Sequence, residues 1–303
     1  MTNMIADKKI VIVGLGLIGG SIARSLSQSN LAAEIVGVGR NESVLKEALD
    51  AGAITSWATD LKEACSGADL VVIAVPSLTV KSVLEQIKPV ITENMVLTDA
   101  ASVKHAIVEA AEEVFGQTPN RFVPGHPIAG SEHSGFTASS TDLFKGKKVI
   151  LTPLEHTDPE AIDLVASLWE AQGADVLKMT VERHDEVLAA TSHLPHLLAF
   201  SLVDTLSQQG ESEEIFRYAA GGFRDFTRIA SSDPQMWHDI FMTNGEATVK
   251  ILDSYIQDLK RLREALLSGN SEELMSTFTR ARKSRARFLE FFEKNDSSEK
   301  LSD

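Results

Sequence analysis

The sequence predicts an α/β fold, with a doubly wound parallel sheet in residues 1–180 and an all-α domain in residues 181–303. Three observations predict it. Short apolar or β-branched runs alternate with helical segments as far as Met179, the interval expected of parallel strands joined by crossover helices. The first run leads directly into Gly14-Leu15-Gly16-Leu17-Ile18-Gly19-Gly20. From Val181 onward the pattern is helical, with no strand-like run.

Ile10-Val11-Ile12-Val13, preceded by Lys8 and Lys9, reads as a strand buried on both faces, and residues 21–27 as the helix that follows. A G-x-G-x-x-G between strand and helix is the dinucleotide-binding turn of a Rossmann-type sheet. Gly14 makes the tight turn, Gly16 lets the backbone approach a pyrophosphate, and Gly19 lets the helix pack close to the strand. The helix N-terminus then offers free N–H groups and a positive dipole end to the phosphates. Gly14, Leu15, Gly16, Leu17, Ile18 and Gly19 are therefore candidate cofactor contacts.

Glu34-Ile35-Val36-Gly37-Val38 is the second strand. At its end a chain that reads NAD usually carries Asp or Glu for the ribose 2′-hydroxyl, but Gly39-Arg40-Asn41 stand here. A guanidinium suits a 2′-phosphate, so Arg40 favours NADP, while Gly39 leaves room for NAD as well. Residues 44–51 form a short helix closed by Gly52. The run from Asp69 to Val75 is a buried strand stopped by Pro76, which puts Val75 and Pro76 beside the cofactor.

Residues 80–87 are helical, and Met95-Val96-Leu97-Thr98 and Arg121-Phe122-Val123 are further strands. Ligands of such sheets sit at the carboxyl ends of the strands, and two loops there carry unusual chemistry. One is Asp99-Ala100-Ala101-Ser102-Val103-Lys104. The other, residues 124–133, holds His126 between Gly125 and Pro127, with few backbone options, as a group presenting one nitrogen to a substrate needs. Strands at residues 149–152 and 175–179, with a helix over 159–172, complete the sheet domain near Thr180.

The helical domain opens at Glu182-Arg183-His184-Asp185 and runs to Leu206, with Pro195 expected to kink or break it. His193 and His196 lie three apart on one face. That spacing can bind zinc, but no third ligand is evident, so no metal is assigned. Arg224 and Arg228, four apart beside Gly221 and Gly222, suit carboxylates. Val249, Leu252, Ile256, Leu259 and Leu266 mark one long apolar stripe, and Leu274, Phe278, Phe288 and Phe292 a second. So small a helical domain is expected to complete its core against a second copy, giving a homodimer.

With 43 acidic and 29 basic residues the 303-residue chain carries a net charge of -14, which argues against nucleic acid or anionic membranes as partners. An anionic ligand must meet a local cluster of Arg and His. The single cysteine, Cys65, excludes a disulfide framework or a cysteine-based zinc site within one chain and fits a reducing, cytoplasmic compartment. No signal sequence is apparent, and no apolar run approaches the roughly 18 residues needed to span a bilayer. Residues 294–303 read as a frayed, charged tail.

Gly14 to Gly20, Ser102-Val103-Lys104, Gly125-His126-Pro127 with Gly130-Ser131-Glu132, Ser192-His193-Leu194-Pro195-His196 and Gly221 to Arg228 occur together in one order. In this the chain resembles the prephenate/arogenate (cyclohexadienyl) dehydrogenase family of tyrosine biosynthesis. The resemblance implies a Rossmann domain followed by a helical dimerisation domain. It also implies oxidative decarboxylation of prephenate and/or arogenate, small molecules bearing a ring carboxylate and a 4-hydroxyl, with hydride transfer to NAD(P). His126 is then expected to accept a hydrogen bond from the hydroxyl, as a neutral imidazole titrating near its ordinary pKa of about 6.5. Ser102 helps to hold the same hydroxyl. By resemblance His196 and Arg228 contact substrate, Arg228 through a carboxylate, and Ser131, Glu132, His184, His193 and Trp237 line or shape the site. Two rivals share the glycine turn. A β-hydroxyacid or imine-type dehydrogenase does not require the Ser-His-Leu-Pro-His and Arg-Asp-Phe-Thr-Arg segments, and an NADP-sensing protein does not require a base.

Overall fold

The computed structural model describes residues 4–131, 133–210 and 212–299. Strands and helices alternate through β1 (Lys9–Val13), α1 (Leu17–Gln28), β2 (Glu34–Val38), α2 (Glu42–Asp50), β3 (Ser56–Ala58), α3 (Leu61–Cys65), β4 (Leu70–Ile73), α4 (Val80–Ile87), β5 (Val96–Asp99), α5 (His105–Phe115) and β6 (Phe122–Val123). The six strands are parallel, in the order β3-β2-β1-β4-β5-β6. The chain reverses direction across the sheet between β1 and β4, the kind of switch point where ligands of open α/β sheets bind.

The two faces of this sheet are sorted by the two-residue period of its strands. Ile10, Ile12, Leu70 and Val72 pack on one side with Ile22 and Leu26 of α1. Val11, Val13, Val71 and Ile73 pack on the other with Leu84 and Ile87 of α4 and Ile107 of α5. β-Branched side chains suit such doubly covered strands, and burying each one fully contributes about 1.5–3 kcal/mol.

A second sheet follows, of β7 (Gly125–Pro127), β8 (Lys148–Leu151) and, after α6 (Pro159–Glu170), β9 (Asp175–Lys178). β7 runs antiparallel to β8, with His126 opposite Ile150. His126 thus stands in a strand where the sequence suggests a loop. Pro124 has no N–H to extend the parallel ladder of β6, and the chain turns to pair with β8 instead. The segment between β7 and β8 is clamped onto α1. The Arg24 guanidinium lies 4.3 Å over the Phe136 ring, its Nε donates to Ser139 Oγ at 2.8 Å, and Ser140 N donates to Ser21 Oγ at 3.0 Å. The strand of His126 and the helix behind the glycine turn are thereby held in one framework.

No strand follows β9 among the described residues. The helices are α7 (Val181–Leu188), α8 (Leu194–Ser207), α9 (Ser212–Arg217), α10 (Gly221–Thr227), α11 (Pro234–Thr243), α12 (Gly245–Ser268) and α13 (Ser271–Glu299). A π-helical turn, Ala189–His193, joins α7 to α8 and puts Pro195 in the first turn of α8, where a missing N–H leaves no helix bond unmade. By length and composition the stretch Val181–Ser207 passes for a membrane span, with a mean hydropathy of 1.2 over 18 residues, which corrects the expectation that no run comes close. It carries Asp185 and three histidines, all hydrogen-bonded within the fold.

Contacts divide the chain into a unit up to Thr248 and a unit from Val249. Secondary structure changes at Val181 without a thinning of contacts there, because Trp237 and Ile240 of α11 belong to the core on the β4 side of the sheet. In the second unit α12 meets α13 through a turn at Gly269 (φ 66°), clipped by an Arg261–Glu273 ion pair at 3.1 Å. Leu266, Leu267, Met275 and Phe278 are each more than half exposed on this unit. The side chain of Phe292 and residues 300–303 lie outside the described residues. α13 continues to Glu299, through most of the tail expected to fray.

Candidate active site

The glycine turn is built for a ligand that approaches backbone. Gly14 has φ +94°, and a Cβ there would stand 2.5 Å from Ala74 O and 2.9 Å from Val75 Cγ1. A Cβ on Gly19 would stand 2.0 Å from Gly14 O, so neither position tolerates a side chain. At Gly16, which caps α1 without a side-chain hydrogen bond, an added Cβ would meet nothing within 4 Å. That open space before a helix N-terminus fits a dinucleotide pyrophosphate. Val75 lies against the turn, and Pro76 follows it, exposed. Arg40 is exposed after β2, with no hydrogen-bond or ion-pair partner among the described residues. A Cβ on Gly39 would make only ordinary contact, 3.6 Å from Leu45, so packing does not explain the glycine there.

His126 is nearly buried, 8% exposed, and its Nδ1 lies 2.9 Å from His184 Nε2. His184 Nδ1 in turn lies 2.7 Å from Asp185 Oδ1. The Asp185 carboxylate also accepts from Lys104 N and His105 N, both at 2.9 Å, where α5 begins. The side chain of Lys104 is wholly buried, pairs with Asp99 and donates to Gly125 O at 2.5 Å. Asp99 accepts from Ala101 N at 2.9 Å and from Gly125 N at 3.2 Å. The loop that carries Ser102 and the strand that carries His126 are thus tied through one buried ion pair, and breaking such a pair costs about 3–5 kcal/mol. His126 Nε2 has no partner among the described residues.

A second group adjoins the first. Asn244 Nδ2 donates to Asp185 O at 3.0 Å and to His193 Nδ1 at 3.1 Å. His196 donates from Nδ1 to Ser192 O at 2.8 Å and stacks on Trp237, ring centroids 3.7 Å apart. Trp237 is 6% exposed, and its Nε1 has no partner among the described residues. Arg228, exposed at the start of the turn Arg228–Ser231, is near enough for its charge, after burial, to help lower the pKa of His196.

Burial sets the protonation of the histidines. It pushes His126 well below 6.5, helped by the charges of His184, Lys104 and His193, so the expectation of an ordinary value near 6.5 is corrected. Burial likewise lowers His184, against the pull of Asp185, and takes His193 down to about 4. Burial alone would raise Asp185, but hydrogen bonds from His184, His105 N and Lys104 N outweigh it and keep its pKa below the ordinary value.

The expected residues divide accordingly. His126, His184, His193, His196 and Trp237 form one connected group, and Ser102 is half-buried two residues before Lys104. His184, expected to line or shape the site, is fully buried with both ring nitrogens engaged, so it shapes the site from behind His126 and does not line it. Ser131 is exposed and accepts from His133 N at 3.1 Å, and Glu132 lies outside the described residues. Arg224 is exposed, 3.6 Å from Asp225, and no described contact brings it to the histidine group. Among the described residues no three potential ligands gather as a metal site. Asp99, Lys104, Asp185 and Asn244 have roles in the site that their sequence positions do not state. The first two flank Ser102 and the third follows His184, whereas Asn244 carries no signal of its own.

A neutral imidazole with one unpaired nitrogen in a dry setting can take a proton from an alcohol, and an adjacent guanidinium can hold a carboxylate. Residues 22–178 match the family model described as prephenate dehydrogenase, nucleotide-binding domain, and residues 180–280 the one described as prephenate dehydrogenase, dimerization domain. The cyclohexadienyl dehydrogenase of Zymomonas mobilis is 36% identical over 285 residues, 93% of this chain and 96% of that one. The solved prephenate dehydrogenase of Aquifex aeolicus, in complex with hydroxyphenyl propionate and NAD+, is 38% identical with a TM-score of 0.87, covering 93% of this chain and 98% of its own. Synechocystis arogenate dehydrogenase is 29% identical with a TM-score of 0.79, covering 92% and 99%.

Proposed function

The chain belongs to the prephenate dehydrogenase family, and from that premise we propose how its residues divide the work. It is an NAD(P)-linked oxidoreductase that oxidatively decarboxylates a prephenate-type cyclohexadiene in tyrosine biosynthesis. The observation that carries the assignment is the neutral, nearly buried His126 with a free Nε2. A bound nicotinamide supplies the hydride acceptor. His126 Nε2 takes the proton of the 4-hydroxyl as C4 is oxidised. The bond from ring to carboxylate then breaks, its electron pair aromatises the ring as carbon dioxide leaves, and the phenolic oxygen recovers the proton from His126. Ser102 holds the same hydroxyl, Arg228 pairs with a substrate carboxylate, and His196 is kept in place by its stack on Trp237.

Gly14 to Gly19 and the N-terminus of α1 hold the pyrophosphate, with Val75 and Pro76 at its flank. The unpaired Arg40 takes a 2′-phosphate, which makes NADP the preferred cofactor. The exposed apolar residues of α12 and α13 pair with a second copy in a homodimer. Cys65, buried and with its thiol pushed up to about 11 by burial, suits a reducing, cytoplasmic setting. Turnover is to be measured with prephenate and arogenate, each with NAD and NADP. Prephenate is expected to turn over with NADP at the higher kcat/KM, and His126→Asn to lower kcat by about 10²–10⁴ with cofactor affinity kept, the range for losing a general base. A His126→Asn enzyme with wild-type kcat would remove His126 from the mechanism.

A further inference from the structure

The hydrogen bonds behind His126 have a direction that can be read from their far end. Asp185 Oδ1 meets Lys104 N at 2.9 Å and His184 Nδ1 at 2.7 Å, and Oδ2 meets His105 N at 2.9 Å. A carboxylate only accepts, so His184 carries its proton on Nδ1. The Nε2 of a neutral His184 is then a bare acceptor. Only an Nδ1–H on His126 can fill the 2.9 Å contact to it. That leaves the lone pair of His126 on Nε2, the nitrogen without a partner.

We propose that His184 and Asp185 are positioning residues that lock His126 in the tautomer with a basic Nε2 and share its positive charge while it holds the substrate's proton. This rests on the reading of His126 as the proton acceptor. Three buried charged side chains surround the pair, and Asp99 cancels Lys104, which leaves the charge of Asp185 to balance an imidazolium. A protonated His184 opposes protonation of His126, as do Lys104 at the start of α5 and His193 from the π-helical turn, whereas a neutral His184 accepts the Nδ1–H of His126. Asp185 on α7 and Asp99 at the end of β5 favour it on His184. As the substrate O–H bond breaks, the proton joins His126 Nε2. The Nδ1 proton then shifts toward His184 Nε2, and the His184 Nδ1 proton toward Asp185 Oδ1. When the phenolic oxygen reclaims its proton each shift reverses, so the protein ends with the protons it began with.

Two variants separate a positioning role from a packing role. His184→Phe fills the space and offers no acceptor, whereas His184→Gln offers Oε1 to the Nδ1–H of His126. Long-range 1H–15N spectra of the histidine-labelled protein, without substrate or cofactor, read the tautomer directly. Wild type and His184→Gln should show His126 protonated at Nδ1, and His184→Phe a mixture. In kinetics, His184→Phe should lower kcat at least about 50-fold with both KM values within threefold, and His184→Gln should regain at least tenfold of that loss. The acid limb should move to lower pH in both. Added to His126→Asn, His184→Phe should cost nothing further, because it acts through the residue already lost. A wild-type His126 protonated at Nε2 overturns the proposal, and that reading stands even if His184→Phe fails to fold. A folded His184→Phe with wild-type kcat and pH profile overturns it while leaving His126 as the base, provided His126→Asn is inactive. If His126→Asn is itself active, the underlying reading of the site falls as well.

Discussion

Burial holds His126, His184 and His193 neutral at pH 7, and a proton acceptor works only in its neutral form. For His126 the sign is fixed. Protonation removes the lone pair, so kcat/KM should fall at acid pH, and because burial, then His184, Lys104 and His193, hold its pKa well below 6.5, the fall should begin below that value. A pH profile of kcat/KM checks this, and the limb should be missing in His126→Asn. An acid limb centred at 6.5 or above would mean that burial does not govern His126. Arg228→Ala should raise KM for prephenate at least tenfold while KM for the cofactor moves little. A rise under about threefold, roughly 0.65 kcal/mol, means the carboxylate is held elsewhere. His126 was legible in sequence because Gly125 and Pro127 bracket it. Asp185 was not, because its bonds to Lys104 N and His105 N join residues about eighty apart in the chain, which only the packing of α7 on α5 brings together.

Elements differ in how much of themselves they write into the sequence. β1 and β4 are β-branched runs buried on both faces, and the turn into α1 is dictated by sterics at Gly14 and Gly19, so all three were readable. β7 is three residues long and contains a glycine and a proline, too little for a period to show, and its partner β8 lies more than twenty residues away. The π-helical turn before Pro195 likewise has no pattern of its own, although the proline announced an irregularity. Arg40 leaves the end of β2 unpaired, beside a glycine that packing does not require, as a 2′-phosphate contact would need. Arg40→Ala should lower kcat/KM for NADP by about 1.5–3 kcal/mol, the strength of a hydrogen bond to a charged group, and leave NAD within about twofold. Equal losses with the two cofactors would take the 2′-phosphate away from Arg40.

Over the whole molecule, an acidic chain keeps a cluster of uncharged histidines inside the unit that ends at Thr248, and this has a consequence for stability. Above pH 6.5 these side chains are neutral whether the chain is folded or not, so they add no pH dependence. As pH falls below the unfolded value of about 6.5, the unfolded chain binds protons that the folded one refuses, and stability must drop. Between its unfolded and its folded pKa each such histidine contributes a slope of at most about 1.36 kcal/mol per pH unit. For His193, whose pKa is lowered to about 4, the drop ends near that pH, after a loss of about 3 kcal/mol. Carboxylates of model peptides titrate at about 3.9–4.3, below the window from pH 6.5 to 5. Asp185 acts in the same direction only at still lower pH, since its carboxyl stays below its ordinary value. Urea unfolding at pH 7.5, 6.5, 5.5 and 5.0 should therefore show a level stability that bends downward between the middle two points. His193→Asn should make the slope shallower. Stability unchanged from pH 7.5 to 5.0 would mean that the folded protein takes up these protons freely, and the dry, neutral cluster around His126 would have to be abandoned.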